Sequence, residues 1–288
     1  MSSFDDFKKK SRSSIDDLTK ALEETNGATK SYKDERFWRP ELDKASNGFA
    51  IIRFLPTPPN EELPFAKLYS HGFQGKGGWF IENSRTTLGE KDPVSEMNSE
   101  LWNSGIESDK DIARTRKRKL QYISNILVVS DPANPQNEGK VFLYKYGKKI
   151  FDKIQEAAQP EFADEEAVDV FNFWEGANFK LKVRRVAGFI NYDKSEFDSA
   201  APLFDGDDSK LEELWNKQYS LTAFTDPSNF KSYEELKTRL HEVIGEDIRS
   251  TEARTSTVED VPSSEVNSID ESKDETDALS YFEKLSKE

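Results

Sequence analysis

The chain has no cysteine and only two histidines and two methionines among its 288 residues. Disulfides and thiolate metal sites are therefore excluded. His71 and His241 lie far apart in sequence, and His241 falls in a helical pattern that makes it a surface residue, so no histidine pair suggests catalysis. There is no GxxxxGK[ST] phosphate loop and no internal repeat. No apolar run approaches the roughly 18 residues of a membrane-spanning helix. The opening MSSFDDFKKKSRSS has no apolar stretch after its lysines, unlike a secretory signal. The expectation is a soluble, cytoplasmic protein with no membrane contact.

Charge is abundant but uneven. The formal net charge is −14, yet residues 251–288 hold 11 acidic and 4 basic residues, a net of −7. Half the acidic excess thus sits in a Ser/Thr-rich segment with sparse apolar residues, the composition of a disordered tail. The low overall pI says little about the rest of the chain. Against that background RTRKRKLQYISNILVV (Arg114 to Val129) stands out. Arg114, Arg116, Lys117, Arg118 and Lys119 precede Tyr122 and a strand-like apolar run. Such a stretch is either a charged edge strand that discourages aggregation or a surface that neutralises phosphates and stacks bases.

Three regions follow from the patterning. Residues 1–34 form a polar arm in which Lys8, Lys9, Lys10, Ser11 and Arg12 make a basic, hydroxyl-rich cluster ahead of a short amphipathic helix (Ile15, Leu18, Leu22). Residues 35–248 form the packed core. Its expected strands are Phe49–Leu55, Phe65–Phe73, Trp79–Glu82, Tyr122–Val129, Val141–Tyr146 and Phe179–Val186, with QGKGG as a hairpin turn and GFINYD as another turn. Helices are expected over Lys148–Ala158, Ser209–Tyr219 and Ser232–Ile244, the last opened by a Ser232/Glu235 capping box. Ser84–Asp109 reads as irregular. Residues 249–288 are the acidic tail. The fold class is mainly β with helical insertions, a small barrel rather than a doubly wound sheet.

Strand alternation then sorts the side chains. Phe142, Tyr144 and Tyr146 share one face, as do Lys180, Lys182 and Arg184. Lys145, Lys148, Lys149 and Arg185 add charge, and Phe189 and Tyr192 follow the second strand. Cations beside aromatic platforms suit sequence-tolerant single-strand binding. The tyrosine hydroxyls of Tyr122, Tyr144 and Tyr192 favour wet edges over the core. One enzyme-like pattern exists, Asp131 with Glu138-Gly-Lys140, which a Mg²⁺ nuclease could use. Its Pro/Asn-rich turn makes loop structure the simpler reading.

Four stretches carry a resemblance: NGFAIIRFLP (Asn47 to Pro56), PFAKLYSHGF (Pro64 to Phe73), KRKLQYISNILVVSDPANPQNEGKVFLYKYGKKIFDKI (Lys117 to Ile154) and WEGANFKLKVRRVAGFINYDKSEF (Trp174 to Phe197). They closely resemble the single-stranded DNA-binding, helix-destabilising proteins of T-even-type bacteriophages. The resemblance implies an oligonucleotide-binding (OB) core that takes single-stranded DNA without sequence preference, in replication, recombination and repair. It implies cooperative self-association through the N-terminal cluster, tail contacts with phage replication and recombination proteins, and no catalysis. It places the protein in the cytoplasm of the infected host. By alignment Trp79, Tyr122, Tyr144, Tyr146, Phe189 and Tyr192 are the aromatic positions. The family's repeated motif, three basic residues then two hydroxyls, survives in the core as Lys117, Arg118 and Lys119 but is followed by Leu120 and Gln121. A family tryptophan is replaced by Ile123. An RNA-binding translational regulator using the same cleft is the alternative.

The resemblance also implies a zinc site of one histidine and three cysteines. The histidine is His71, and the cysteine positions fall near Ser84, Asp92 and Ser95. Serine is a poor zinc ligand, so this degenerate set predicts a protein without structural zinc or any other cofactor.

Overall fold

The computed structural model describes residues 34–162 and 164–245, and the arm and tail lie outside them. Nine strands and five α-helices alternate along this span: β1 (Phe37–Trp38), β2 (Gly48–Phe54), β3 (Ala66–Gly75), β4 (Gly78–Asn83), α1 (Pro93–Asn103), α2 (Glu107–Thr115), β5 (Lys119–Ser130), β6 (Val141–Tyr146), α3 (Lys148–Ala158), β7 (Asn178–Val186), β8 (Phe189–Asn191), β9 (Glu196–Phe197), α4 (Asp208–Asn216) and α5 (Tyr233–Ile244). The strands make one mixed sheet in the order β1-β6-β5-β2-β7-β8, with β3 also on β5 and β4 on β3. The β-rich fold with helical insertions is as expected.

β5 is the spine. Its twelve residues pair with β6, β2 and β3, and Tyr122 to Val128 are all buried. Strand alternation sends Tyr122, Ser124, Ile126 and Val128 to one layer and Ile123, Asn125 and Leu127 to the other. The first layer is the main core, where α3 packs Ile150 and Ile154 against Ile52, Phe54 and Phe179. Phe54 is fully buried, with the rings of Tyr146, Phe171 and Phe179 at 5.5, 5.7 and 5.9 Å. Truncating it to alanine would cost about 3–5 kcal/mol. On the other layer, Asn125 exchanges two hydrogen bonds with the backbone of Tyr219, 2.8 and 2.9 Å. That pairing pins the 219–230 segment over Ile123, Leu143 and Leu68.

Next to Phe54, Arg53 is buried with no carboxylate partner among the described residues. Its Nη2 donates to the carbonyls of Asn172 (2.9 Å) and Ala201 (3.0 Å), and burial lowers its pKa to about 10.

Several local readings need correction. Ser84–Asp109 is ordered: a 3₁₀ turn (Arg85–Leu88) leads to α1, which Asp92 caps by accepting from Ser95 N while Pro93 occupies the first helical position. Arg114 lies in the last turn of α2 rather than on a strand. GFINYD contains strand β8, and the turn is Ala187-Gly188, both with positive φ (49° and 86°), the type I′ geometry of a two-residue hairpin. The Ser232–Glu235 capping box is present at α5, but His241 in the same helix is buried rather than on the surface.

The hairpin β3–β4 closes at Gly75–Gly78 and leans on the end of α5. A Cβ on Gly77 would sit 2.0 Å from Glu242 O, and one on Gly75 2.3 Å from Val243 O. Only glycine permits that approach. Gly77 N donates to Val243 O, and Arg239 donates to Trp79 O. The hairpin that carries Trp79 is thereby fixed from behind.

Candidate nucleic-acid interface

One open groove, of about 460 Å³, runs across the face shared by β4, β3, β5 and β6. The register explains its lining. Ser70 pairs with Asn83 and Lys119, Leu68 with Gln121, Gly72 with Ile81, and Ile123 with Lys145, so these side chains project to the same side. Trp79 and Ile81 follow that alternation on β4 and are 56% and 71% exposed. Two large apolar side chains in water on one strand are unusual enough to mark a contact surface.

Cations border the apolar strip. Lys119 crosses the strand at Gly72, where an added Cβ would be 3.4 Å from its ammonium. Lys145 lies 5.3 Å over the Phe37 ring. Desolvation by the surrounding protein, and then the nearby Arg39 charge, lower the Lys145 pKa, although its side chain still reaches solvent. Neither Lys119 nor Lys145 forms an ion pair among the described residues. Lys231, at the far rim, pairs with Glu82.

Other basic residues of the 114–119 cluster diverge. Arg114 is held by Glu107 (3.0 Å) and Asp111 (2.6 Å) and stacks over Trp102 at 5.4 Å. Arg116 lies 5.5 Å over Phe73. Arg118 sits 4.2 Å over Tyr69, whose ring also faces the Lys67 ammonium at 5.3 Å. Lys117 is half-buried in the short link between α2 and β5. The linear cluster thus serves two faces of the sheet, and of its members only Lys119 lines the groove.

Sequence reasoning misplaced three tyrosines. Tyr122, Tyr144 and Tyr146, expected on the binding face, are 5%, 4% and 4% exposed and belong to the main core, so Tyr122 and Tyr144 do not lie at the wet edges expected of them. Tyr122 stacks on Phe151 with centroids 3.8 Å apart, and Tyr144 on Tyr146 at 5.5 Å. Tyr146 and Ser124 share a hydrogen bond of 2.9 Å, and burial pushes the Tyr146 and Tyr144 phenols up. A hydroxyl satisfied inside can accompany a buried ring, which the wet-edge argument overlooked. None of the three presents a ring face to solvent. Tyr192 is half-buried against the same core, with its pKa raised by burial.

The cationic face of β7 exists but is compensated. Lys180 pairs with Asp198 (2.9 Å), Lys182 with Glu196 (2.6 Å) and Arg184 with Asp193. Those partners hold all three carboxyls below their usual range. Lys148 pairs with Asp152. Lys149 and Arg185 are exposed and make no ion pair among the described residues. Phe189, 72% exposed, stands at the start of β8 beside the hairpin turn.

The nuclease pattern is loop scaffolding. Asp131 is buried, accepting from Trp38 Nε1 (2.8 Å) and Asn134 N (3.1 Å), and Glu138 accepts from Asp131 N (2.8 Å). Both carboxylates are spent on the turn. Lys8, Lys9, Lys10, Ser11 and Arg12 lie outside the described residues.

Sequence reading overlooked Ile81, Gln121 and Lys231. Ile81 was legible, since it shares strand parity with Trp79. Lys231 enters from a distant loop and left no local signal.

Solvent-open apolar side chains between unpaired lysines, on a twisted sheet, define a surface of the class that nucleic-acid-binding proteins use. Comparison with known proteins agrees. Residues 46–244 match the gp32 DNA binding protein like family, and the chain belongs to that family. It is 45% identical over 245 residues to the single-stranded DNA-binding protein of Enterobacteria phage T2, covering 83% of this chain and 80% of that protein. It is 44% identical over 255 residues to the single-stranded DNA-binding protein of Enterobacteria phage T4, covering 86% and 83%. A third relative, the single-stranded DNA-binding protein of Enterobacteria phage RB70, is 38% identical over 118 residues, or 40% of this chain and 98% of that protein.

Proposed function

We propose that this protein coats single-stranded DNA in phage replication, recombination and repair, without sequence preference and without catalysis. The observation that carries the reading is the Trp79–Ile81 strip between Lys119 and Lys145 on a rigidly backed hairpin, within the span that matches the family. Lysines displace counterions from the backbone, and the apolar strip takes base faces, which every nucleotide has. Binding only the melted strand then opens duplexes by mass action.

β2, β5, β6 and β7, with α3 between β6 and β7, support an OB-type core as the scaffold. Exposed Phe189, Lys149 and Arg185 extend the binding surface beyond the groove. Lys8, Lys9, Lys10, Ser11 and Arg12 mediate cooperative self-association on the strand. The acidic tail recruits phage replication and recombination proteins in the host cytoplasm.

Fluorescence titration of the full-length chain with poly-dT, poly-U and duplex at two salt concentrations, followed by a cleavage assay with Mg²⁺, tests the reading. Tight, salt-sensitive quenching by poly-dT without cleavage is expected. Equal or better binding to duplex would overturn it, and preference for poly-U would favour the RNA-binding alternative.

A further inference from the structure

His71, Ser84, Asp92 and Ser95 come from four local contexts: β3, the cap of the 3₁₀ turn, the cap of α1 and its first turn. They converge on one carboxylate. Asp92 Oδ1 lies 3.0 Å from His71 Nε2 and accepts from Ser95 N at 2.9 Å. Asp92 Oδ2 accepts from Ser84 Oγ at 3.0 Å and from Arg85 N at 3.1 Å. His71, Ser84 and Asp92 are almost wholly buried. A second tie joins the same pieces, since Ser84 N donates to Tyr69 O and Tyr69 N to Thr87 Oγ1, each 2.9 Å.

The resemblance implies zinc ligands at His71 and near the other three, and the residues present do not fit the ion. A closed zinc site wants four nitrogen, thiolate or carboxylate donors. Both oxygens of Asp92 are engaged by protein donors, and the His71 Nε2 contact is one of them. Among the described residues, the atoms of the set left without a partner are His71 Nδ1 and Ser95 Oγ, which is half a tetrahedral shell.

We infer that this chain dispenses with zinc and that a hydrogen-bond node centred on the Asp92 carboxylate cross-links β3, the 3₁₀ turn and α1 in its place. The substitution is chemically coherent. A metal draws several electron-rich side chains to a central cation; here a central anion draws several donors. Charge-assisted hydrogen bonds in a site removed from water are roughly twice as strong as neutral ones. The same node holds β3, one wall of the groove, against α1.

The test uses the full-length protein expressed with excess zinc. Metal content is measured by mass spectrometry, and thermal unfolding is followed with added zinc and with EDTA. The expected result is no stoichiometric zinc and the same Tm in both solutions. Asp92→Asn turns one acceptor into a donor facing donors and lowers Tm by roughly 5–10 °C. If that variant does not fold, Ser84→Ala removes one donor to Asp92 together with the side-chain cap of the 3₁₀ turn and lowers Tm by roughly 2–4 °C. One zinc per chain, a Tm that falls in EDTA, or an unchanged Tm in the variant that folds would each overturn the proposal.

Discussion

Replacing Trp79 with alanine separates binding from folding. The indole is more than half exposed, and its backbone is fixed independently of the side chain by Gly77 N to Val243 O and by Arg239. Loss of the ring should change stability by no more than about 0.5 kcal/mol, or roughly 1–2 °C in Tm. A base stacked on an aromatic side chain contributes about 1–3 kcal/mol. At 1.4 kcal/mol per factor of ten, affinity for single-stranded DNA should fall about 5- to 150-fold. The slope of log K against log salt should not change, because no cation is lost. The assay is fluorescence anisotropy of a labelled oligo-dT at several salt concentrations, since four other tryptophans confuse intrinsic emission. An affinity within about twofold of wild type, with Tm unchanged, would refute a stacking role for Trp79. A large fall in Tm would refute the claim that the hairpin is fixed independently of the Trp79 ring.

Four further outcomes follow from the same geometry. Lys119→Ala with Lys145→Ala should reduce the salt slope by about 1.4, at about 0.7 per phosphate contact on single strands, and the same anisotropy series measures it. Tyr146→Ala should cost about 3–5 kcal/mol in denaturant unfolding, while the protein still folded keeps its affinity; selective loss of binding would mean that the ring reaches DNA. Gly77→Ala should destabilise the protein and weaken binding together, because the new methyl group collides with Glu242 O. Removing residues 1–20 should abolish cooperativity on poly-dT and leave affinity for a short oligonucleotide intact, which lattice-length titrations resolve.

Local signals in the sequence specify much of this fold. The alternation in FAIIRFL and KLQYISNILVV, the QGKGG turn and the Ser232–Glu235 box each mark an element that forms where its chemistry requires. Ser84–Asp109 was misread because polar Ser, Asn and Glu outnumber its apolar residues. Yet Asp92-Pro93 is a helix start, and Val94, Met97 and Leu101 fall at helical spacing behind it. The tyrosines fail for a different reason. Strand parity correctly puts Tyr144 and Tyr146 on one face, but parity cannot say which face α3 will cover. Lys231 and Asn229 reach the groove through the chain's return over β3 and β6, a tertiary fact with no local trace.

An acidic protein can serve a polyanion because the relevant charge is local and uncompensated. β7 offers Lys180, Lys182 and Arg184 in a row, and the following residues supply Asp193, Glu196 and Asp198 to the same three cations. Exposed pairs of this kind contribute little to stability, and each must exchange its carboxylate before it can meet a phosphate. Lys119 and Lys145 form no ion pair among the described residues, the Asp34 carboxylate whose charge reaches Lys145 being paired with Arg36, and both lysines stand beside the apolar strip. Counting basic residues would rank the β7 row and the groove alike. Counting cations without a carboxylate partner ranks the groove first, so substituting Lys119 should weaken DNA binding more than substituting Lys182, although both are solvent-facing lysines on strands of one sheet.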